Sequence, residues 1–327
     1  MVIYAVSVPK AIITEFLFNQ NLQMTDTQIV SKVSIGMPVF NGEKSIREAL
    51  DSLLGQSFSD FELIISDNAS TDGTELICRE YAALDQRIRY IRQPTNLGVG
   101  FNFKFVLDEA RSEYFMWAAC DDVRSNDFVE LNHKFLSENP EFVASTSPNG
   151  FEGVELSQQR LIDFKLDGNL FERFTIFFKN CWISHGIFYS LIRVNILRNC
   201  EVLGQSFIGS DWAINLYLAS KGKLNRITKG HTIFGVQGVS SSSGAYKAFR
   251  NNFIEFFVPL YRLSSYVIKL TSGFTARQKL RIAIILIKLN ILASYHQIFE
   301  LIYSPYCKYL RPIVLLNRSG VDHAGYK

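Results

Sequence analysis

Acidic residues stand where apolar runs of the sequence end, and their placement suggests chemistry. Asp67 follows the run Phe61-Glu62-Leu63-Ile64-Ile65, and the pair Asp121-Asp122 follows the run Tyr114 to Ala118. Asp211 opens a helical pattern that extends from Ala213 to Ser220. Adjacent carboxylates repel each other unless a cation lies between them. Hard cations such as Mg²⁺ and Mn²⁺ prefer oxygen ligands and often bridge substrate phosphates. Asp121-Asp122 therefore reads as a candidate cation site, although Asp122 could equally orient or cap the backbone. Asp67 could accept a hydrogen bond from a ligand N–H, or cap the helix that follows it. Asp72, three residues before Glu75, suits that capping role better. Asp211 could be a helix N-terminal carboxylate and no more. Lys104 could reach a phosphate, or lie on a solvated helix face.

These residues need elements to position them. The first strand, Val33-Ser34-Ile35-Gly36-Met37, ends at Pro38, and residues 43–54 carry Ile46, Ala49, Leu50, Leu53 and Leu54 at helical spacing. A second strand over 61–65 leads into a polar turn at 67–73, and a helix follows through Leu76, Ile77, Glu80, Tyr81 and Leu84. A strand at 88–91, a helix at 101–110 and a strand at 114–118 complete the alternation. Strand–helix alternation predicts an α/β fold with a parallel sheet covered on both faces. Ligands of such sheets bind beyond the carboxyl ends of the strands. Beyond residue 140 the pattern loosens, with a strand or turn at 187–193, a helix over 212–220 stopped by Gly222, and a Gly/Ser-rich loop at 235–244.

The composition bounds the answer. The chain has 327 residues, 47% hydrophobic and 20% charged, with a formal net charge of +3. This charge is too mild for the clustered basic footprint of a nucleic-acid-binding protein. Five cysteines, an odd number with no close pair, fit a reducing, cytoplasmic compartment better than a disulfide framework. No basic segment precedes the apolar start at Met1 to Val8, and Met24 offers a second start, so residues 1–31 read as an N-terminal extension. The stretch Ile282 to Ile302, interrupted by Lys288, Asn290, His296, Gln297 and Glu300, reads as an amphipathic or buried helix rather than a membrane span. No phosphate-binding G-x-x-x-x-G-K-[ST] loop occurs, and no G-x-G-x-x-G follows a strand, which argues against nucleoside triphosphatases and dinucleotide-dependent oxidoreductases.

Taken together, Val33 to Asn41, Gln56 to Thr74, Asn96-Leu97-Gly98 and Tyr114 to Asp122 resemble glycosyltransferase family 2 over about residues 32–235. The resemblance implies a GT-A fold: a Rossmann-like, mostly parallel sheet flanked by helices, with a C-terminal helical extension. It implies a catalytic domain over 32–240, with a nucleotide-sugar half at 32–125 and an acceptor half at 126–240, followed by a helical region at 241–327. It implies an inverting, metal-dependent enzyme that moves a sugar from a UDP-, GDP- or dTDP-linked donor to an acceptor hydroxyl. Pro38, Phe40, Asn41, Asp67, Asn96, Lys104 and Asp121 would then contact the nucleotide sugar, Asp67 through its base. Asp121 best matches the last carboxylate of the family's D-x-D motif, with Asp122 and Gln237 as further ligands for Mn²⁺ or Mg²⁺. Gly209-Ser210-Asp211-Trp212 resembles the late acidic motif, which makes Asp211 the general base. His185 and Trp212 would face the acceptor.

The sequence departs from the family in two places. Ala119 and Cys120 stand where an acidic residue is common, and Cys120 is a poor ligand for a hard cation. Gln237-Gly238-Val239-Ser240 replaces a late H-x-x-S pattern, and His231, six residues earlier, is a poor substitute for its histidine. A catalytically degenerate protein that binds sugar nucleotides or glycans is the rival these departures favour. A nucleotidyltransferase would want a basic, glycine-rich first loop, which Pro38-Val39-Phe40-Asn41 is not. Family-level analogy points to surface polysaccharide or lipid-linked oligosaccharide synthesis, with a glycan or lipid-linked acceptor. The aromatic and basic C-terminal region is compatible with peripheral contact at the inner face of a membrane, or with a helical subdomain packed on the core.

Overall fold

The computed structural model describes residues 30–153, 164–235, 249–250 and 252–305. Its elements run β1 (Val33–Val39), α1 (Ile46–Leu54), β2 (Phe61–Asp67), α2 (Thr74–Leu84), β3 (Ile88–Arg92), α3 (Val99–Asp108) and β4 (Tyr114–Trp117). Then come β5 (Val123–Arg124), α4 (Phe128–Glu138), β6 (Phe142–Thr146), β7 (Asn149–Phe151), α5 (Leu170–Asn180), α6 (His185–Phe188), β8 (Leu191–Arg193) and α7 (Val194–Leu197). The last are α8 (Ser210–Lys221), β9 (Lys223–Arg226), β10 (Thr232–Phe234), α9 (Ile254–Phe257), α10 (Tyr261–Leu270) and α11 (Ala276–Pro305).

A seven-stranded sheet in the order β3-β2-β1-β4-β8-β6-β9 forms the centre. The strands from β3 to β4 are mutually parallel, as the alternation predicts. β8 breaks the run, pairing antiparallel with both β4 and β6. The sequence left 187–193 open between strand and turn. The segment divides instead into the short helix α6 and then β8. A three-stranded sheet, β5-β10-β7, sits apart.

Side chains alternate across a strand, and here the alternation sorts the helices into two layers. Ile35, Met37, Leu63, Ile65, Tyr114 and Met116 face one side, where α1, α2 and α4 pack with Leu50, Leu53, Ile77 and Phe128. Ile64, Phe115 and Trp117 face the other side, against α3, α5 and α8. Leu263 and Val267 of α10 and Leu286 and Leu289 of α11 belong to this same second core, so the C-terminal helices pack on the sheet's own helical layer.

Two residues of β1 show how closely this sheet is fitted. The Gly36 carbonyl accepts the Ala118 amide, while the Val39 carbonyl accepts that of Asn68. Even-numbered residues of β1 therefore turn their backbone groups toward β4. The β1–β4 pairing ends at Gly36. Pro38, which lacks an N–H, thus stands where a central strand has no neighbour to bond, the place a proline is tolerated. Gly36 itself lies beneath α3.

The C-terminal helix differs from the expected one. It begins at Ala276 and, among the described residues, Ala276–Phe299 is long and apolar enough to cross a membrane by length and composition. Its core-facing stripe is Ile282, Leu286, Leu289 and Ala293. The opposite stripe is also apolar, but exposed. It is thus neither a buried helix nor one with a single apolar face. The polar residues that interrupt the run serve as tertiary anchors. Asn290 Oδ1 accepts the Leu260 amide at 3.0 Å and its Nδ2 donates to Ser264 Oγ at 2.9 Å. Gln297 Nε2 donates to the Phe256 carbonyl at 3.0 Å.

A Cβ at Gly36 would lie 2.7 Å from both Phe115 Cζ and Val106 Cγ2. Neither side chain has free space to retreat into, so Gly36→Ala is expected to cost about 1–3 kcal/mol. Urea denaturation measures this, and an unchanged midpoint would show that α3 is not held tightly against β1.

Candidate active site

The loops that leave β1, β2 and β3 are joined to one another at the carboxyl edge of the sheet. Asn41 takes a left-handed backbone (φ 54), accessible to asparagine at modest cost. Its amide donates to Ser70 Oγ at 2.9 Å, and its Oδ1 accepts the Thr71 amide at 2.8 Å. The Gly42 amide donates to Thr74 Oγ1, and the Gly73 amide to Glu43. Asp72 accepts from the Thr74 amide and the Glu43 amide, so it caps α2 and ties in the β1 loop at once. Asn68 accepts the Leu97 amide and donates to Asn96 Oδ1, which also takes the Gly98 amide. Asn96 thereby clamps the β3 loop to the β2 loop.

Asp67 is the node of this edge. Its side chain is fully buried. One oxygen accepts the Ser70 amide at 2.8 Å, and the other accepts Tyr90 Oη at 2.8 Å and Arg92 Nη1 at 2.7 Å. Burial and the neighbouring carboxylate together raise the pKa of the Tyr90 hydroxyl. Near the end of β1, Pro38 is buried, whereas Phe40, just beyond the strand, is 46% exposed.

Asp121 and Asp122 have different surroundings although they are adjacent. Asp122 is buried, its Oδ1 accepts the Gly235 amide at 3.3 Å, and its Oδ2 has no hydrogen-bond partner. Burial pushes its carboxyl up to about 6, with the Arg124 guanidinium pulling down and Asp121 pushing up. Arg124 is buried too. Its Nη2 donates to the Trp117 carbonyl at 3.1 Å, and its guanidinium lies over the Phe128 ring. Asp121 is only half-buried. A Cβ built on Gly235 would collide with the Asp121 carboxylate, so only glycine lets β10 pass this close. Cys120 packs against Gly42, and its thiol is pushed up to about 12 by burial and then by the two aspartates. A thiol protonated at neutral pH fills space and does not ligate a hard cation.

The residues present fit a divalent cation in a limited sense. Asp121 offers an accessible carboxylate, and Asp122 Oδ2 is a buried oxygen with no partner. Substrate oxygens would complete such a shell. Among the described residues, no group of three His, Cys, Asp or Glu side chains is assembled to hold a metal. Gln237 lies outside the described residues, two positions beyond Gly235.

Asp211 comes from the helix α8. Gly209, in a left-handed conformation (φ 82), turns the chain into α8, and Asp211 sits half-buried in its first turn. Burial raises its pKa, partly offset by the Trp212 amide and then by His185. His185 opens α6, its ring 5.6 Å from Phe151 and 6.2 Å from Phe234. The protein around it lowers its pKa, with Asp211 acting the other way. Trp212 meets Trp182 edge to face at 5.1 Å, and Trp182 is 46% exposed. Tyr189 packs 5.6 Å from Phe234, and its hydroxyl pKa is raised by burial first and then by Asp122.

The structure therefore brings Pro38, Phe40, Asn41, Asp67 and Asn96 together on one edge, places Asp121 and Asp122 against Gly235, and sets His185 by Phe234 and Trp212 by Trp182. Lys104 is elsewhere, with its ammonium paired to Asp108 one turn along α3 and its stem against Gly204. Sequence reasoning missed Arg92, Arg124, Tyr189 and Gly235. Arg92 ends a strand next to β2, a position any parallel-sheet reading could have flagged. The other three carry no local signal.

Removing the Asp67 carboxylate leaves Arg92 Nη1, Tyr90 Oη and the Ser70 amide without their acceptor, while Arg92 keeps its bonds to the Ser70 carbonyl and Glu75. Asp67→Ala is expected to cost about 3 kcal/mol. Chemical denaturation checks this, and a loss below about 1 kcal/mol would show that the loops hold their shape without the node.

The family model described as "Glycosyl transferase family 2" matches residues 34–199, about half of the chain. TuaG of Bacillus subtilis, a glycosyltransferase named for teichuronic acid biosynthesis, is 32% identical over 106 residues, or 32% of this chain and 42% of that one. Several curated bacterial relatives are, like it, covered over less than half their own length. Among solved structures, Staphylococcus aureus TarS 1–349 in complex with UDP-GlcNAc superposes with a TM-score of 0.53 at 17% identity, covering 75% of this chain and 73% of that one. The mannosyltransferase PcManGT of Pyrobaculum calidifontis, in complex with GDP-Man and Mn²⁺, gives 0.51 at 15% identity, covering 96% and 88%. These two likenesses concern the fold. The matched residues span the stitched loops, the Asp121-Asp122 pair and the helix bearing His185, and the chain belongs to glycosyl transferase family 2.

Proposed function

We propose that this protein is an inverting, divalent-metal-dependent glycosyltransferase that moves a sugar from a nucleoside-diphosphate donor to a hydroxyl of a growing surface glycan or lipid-linked oligosaccharide. The observation that carries the reading is that His185 and Tyr189 pack on Phe234, at 6.2 and 5.6 Å, while the next residue, Gly235, donates its amide to Asp122, so the helix bearing His185 meets the carboxylate pair. Asp121 is half-buried with the buried Asp122 beside it, and Asp211, also half-buried, lies in the first turn of α8. TarS and PcManGT share this fold and were solved with UDP-GlcNAc and with GDP-Man and Mn²⁺, which favours a nucleotide-sugar donor and a divalent ion. TuaG, by its name, favours polysaccharide synthesis.

In this reading residues 32–240 form the catalytic unit, with the donor held by 32–125 and the acceptor by 126–240. The nucleotide lies over the edge formed by Pro38, Phe40, Asn41, Asp67 and Asn96. Asp67 sets the shape of that edge through Ser70 and Arg92, and Phe40 offers an exposed aromatic face. The diphosphate lies at Asp121, with Asp122 beside it. A divalent ion bound there supplies positive charge against the leaving diphosphate. Asp211 takes the proton of the acceptor hydroxyl while that oxygen bonds to the anomeric carbon from the side opposite the phosphate. The anomeric C–O bond to the diphosphate breaks, the nucleoside diphosphate leaves with the electron pair, and the configuration inverts. Burial raises the Asp211 pKa and so strengthens it as a base. Trp212 and His185 line the acceptor side. The protonated Cys120 thiol in the place of an acidic ligand favours the rival reading, a protein that binds the nucleotide sugar without turning it over.

Calorimetric titration of UDP, GDP and dTDP, with and without Mn²⁺, tests the donor half. One nucleotide is expected to bind with a Mn²⁺ dependence that Asp121→Ala abolishes, and no binding of any nucleotide would sink the transferase reading. Asp211→Asn is expected to keep nucleotide binding and to lower kcat about 10²–10⁴-fold. Wild-type kcat/KM should rise with pH through an apparent pKa above the ordinary carboxylate value of about 4, because only the ionised base accepts a proton. Donor binding with no turnover in any acceptor mixture, and no effect of Asp211→Asn, would favour the binding protein.

A further inference from the structure

The outer face of α11 is apolar, exposed and bordered by positive charge. Leu280, Ile284, Ile287, Ile291, Tyr295 and Ile298 recur every three or four residues and form one stripe. The stripe runs for about 27 Å along the helix, and Ile291 and Tyr295 are both 65% exposed. It lies diametrically opposite the stripe of Ile282, Leu286, Leu289 and Ala293 that packs into the core. On one flank, helical geometry places Arg277, Arg281 and Lys288. From Ala276 to Phe299 the helix carries these three and Lys279, and no carboxylate. On the other flank lies α9, held by Ser294 Oγ donating to the Phe257 carbonyl at 3.1 Å and by the Gln297 bond to Phe256. There Phe253 and Phe257, 77% and 61% exposed, stack edge to face at 5.2 Å and extend the apolar surface.

A water-soluble helix with one face in a core ordinarily turns a polar face outward, so a second apolar stripe of this length calls for an occupant. We infer that this face, with Phe253 and Phe257, lies in the headgroup region of an anionic lipid bilayer, with α11 parallel to the membrane plane. Aliphatic and aromatic side chains in a plane, with Arg and Lys at the edge, are what such an interface takes. A second copy of the chain fits less well. A two-fold contact with the helices parallel would bring Arg277, Arg281 and Lys288 of both copies together with no carboxylate between Ala276 and Phe299 to offset them. Crossing the bilayer fits less well too, because the core-facing stripe, Asn290 and Gln297 are already engaged by protein. His296 of α11 lies 6.1 Å from Trp182, which meets Trp212 beside Asp211. His296 leaves α11 toward the core side, so the helix itself stands between such a bilayer and Trp182. This inference stands apart from the transferase reading, since nucleotide binding in solution does not depend on it.

The test is co-sedimentation of the full chain with phosphatidylcholine vesicles, with and without phosphatidylglycerol. Nucleotide titration and far-ultraviolet circular dichroism serve as independent controls of site and fold. Wild type should pellet with the anionic vesicles and be released by salt. Ile287→Asp/Ile291→Asp should weaken pelleting at least tenfold. Arg277→Gln/Arg281→Gln/Lys288→Gln, confined to charged side chains and so safe for folding, should weaken binding to the anionic vesicles about a hundredfold, at about fivefold per charge. Several results would overturn the proposal. The wild type could fail to pellet with either vesicle, or both variants could pellet like it. Analytical ultracentrifugation could show a dimer that Ile287→Asp/Ile291→Asp dissolves, placing a second copy on the face. Release by detergent but not by salt or carbonate would mean a spanning helix. Loss of nucleotide binding with pelleting intact would count against the transferase reading alone.

Discussion

Two like charges end a strand that is apolar on both faces, and much of the surrounding arrangement follows from the cost of keeping them there. Asp122 points inward, where an ionised carboxylate is expensive unless paired. Arg124, two residues on, lies within its field, while the Gly235 amide bonds one of its oxygens. Arg124 in turn holds the Trp117 carbonyl, which fixes the end of β4 itself. The need to bring Gly235 here explains the small β5-β10-β7 sheet, whose middle strand returns the chain from residue 232 to the carboxylate pair. Asp121 is left half-buried beside Asp122.

The opposite edge solves a related problem by different means. Long irregular loops would be costly to order, and here side chains and backbone amides exchange hydrogen bonds between three successive loops. Asn41, Asn68, Asp72 and Asn96 are short polar side chains that bond nearby backbone. Each bridges two loops, so the edge behaves as a single surface. Ala69 keeps a left-handed backbone (φ 61) in the middle of it, a conformation that such a network can hold in place.

What could be read from the sequence follows from how far each signal travels along the chain. The parallel half of the sheet was legible because buried strands appear as short apolar runs and their helices keep a regular period. Leu63, Ile64 and Ile65 announce a strand buried on both faces without any knowledge of the fold. Asp67 and Asp121-Asp122 were visible because the carboxyl ends of such strands are where polar groups collect. The partners of those groups were not visible. Tyr189 comes within the field of Asp122 only through the antiparallel insertion of β8 beside β4, and Gly235 only through β10. Local spacing records neither pairing. The C-terminal helix misled for another reason. Asn290 and Gln297 look like breaks in an apolar run, yet they bond α10 and α9, and the run continues around them on two opposite faces.

The ring of Trp117 lies flat on that of Phe188, with centroids 4.6 Å apart and planes 2° from parallel, while its Nε1 donates to the Phe103 carbonyl. Trp117 is the last residue of the strand that delivers the carboxylate pair, and Phe188 closes the short helix that His185 opens. The strand that leads to the carboxylate pair and the short helix that carries His185 are therefore keyed together by one pair of stacked rings. Loops farther out can drift in sequence without disturbing that contact. Among relatives that diverge in the molecules they join, positions 117 and 188 should change together or not at all, and that covariation would mark a structural key instead of a binding preference.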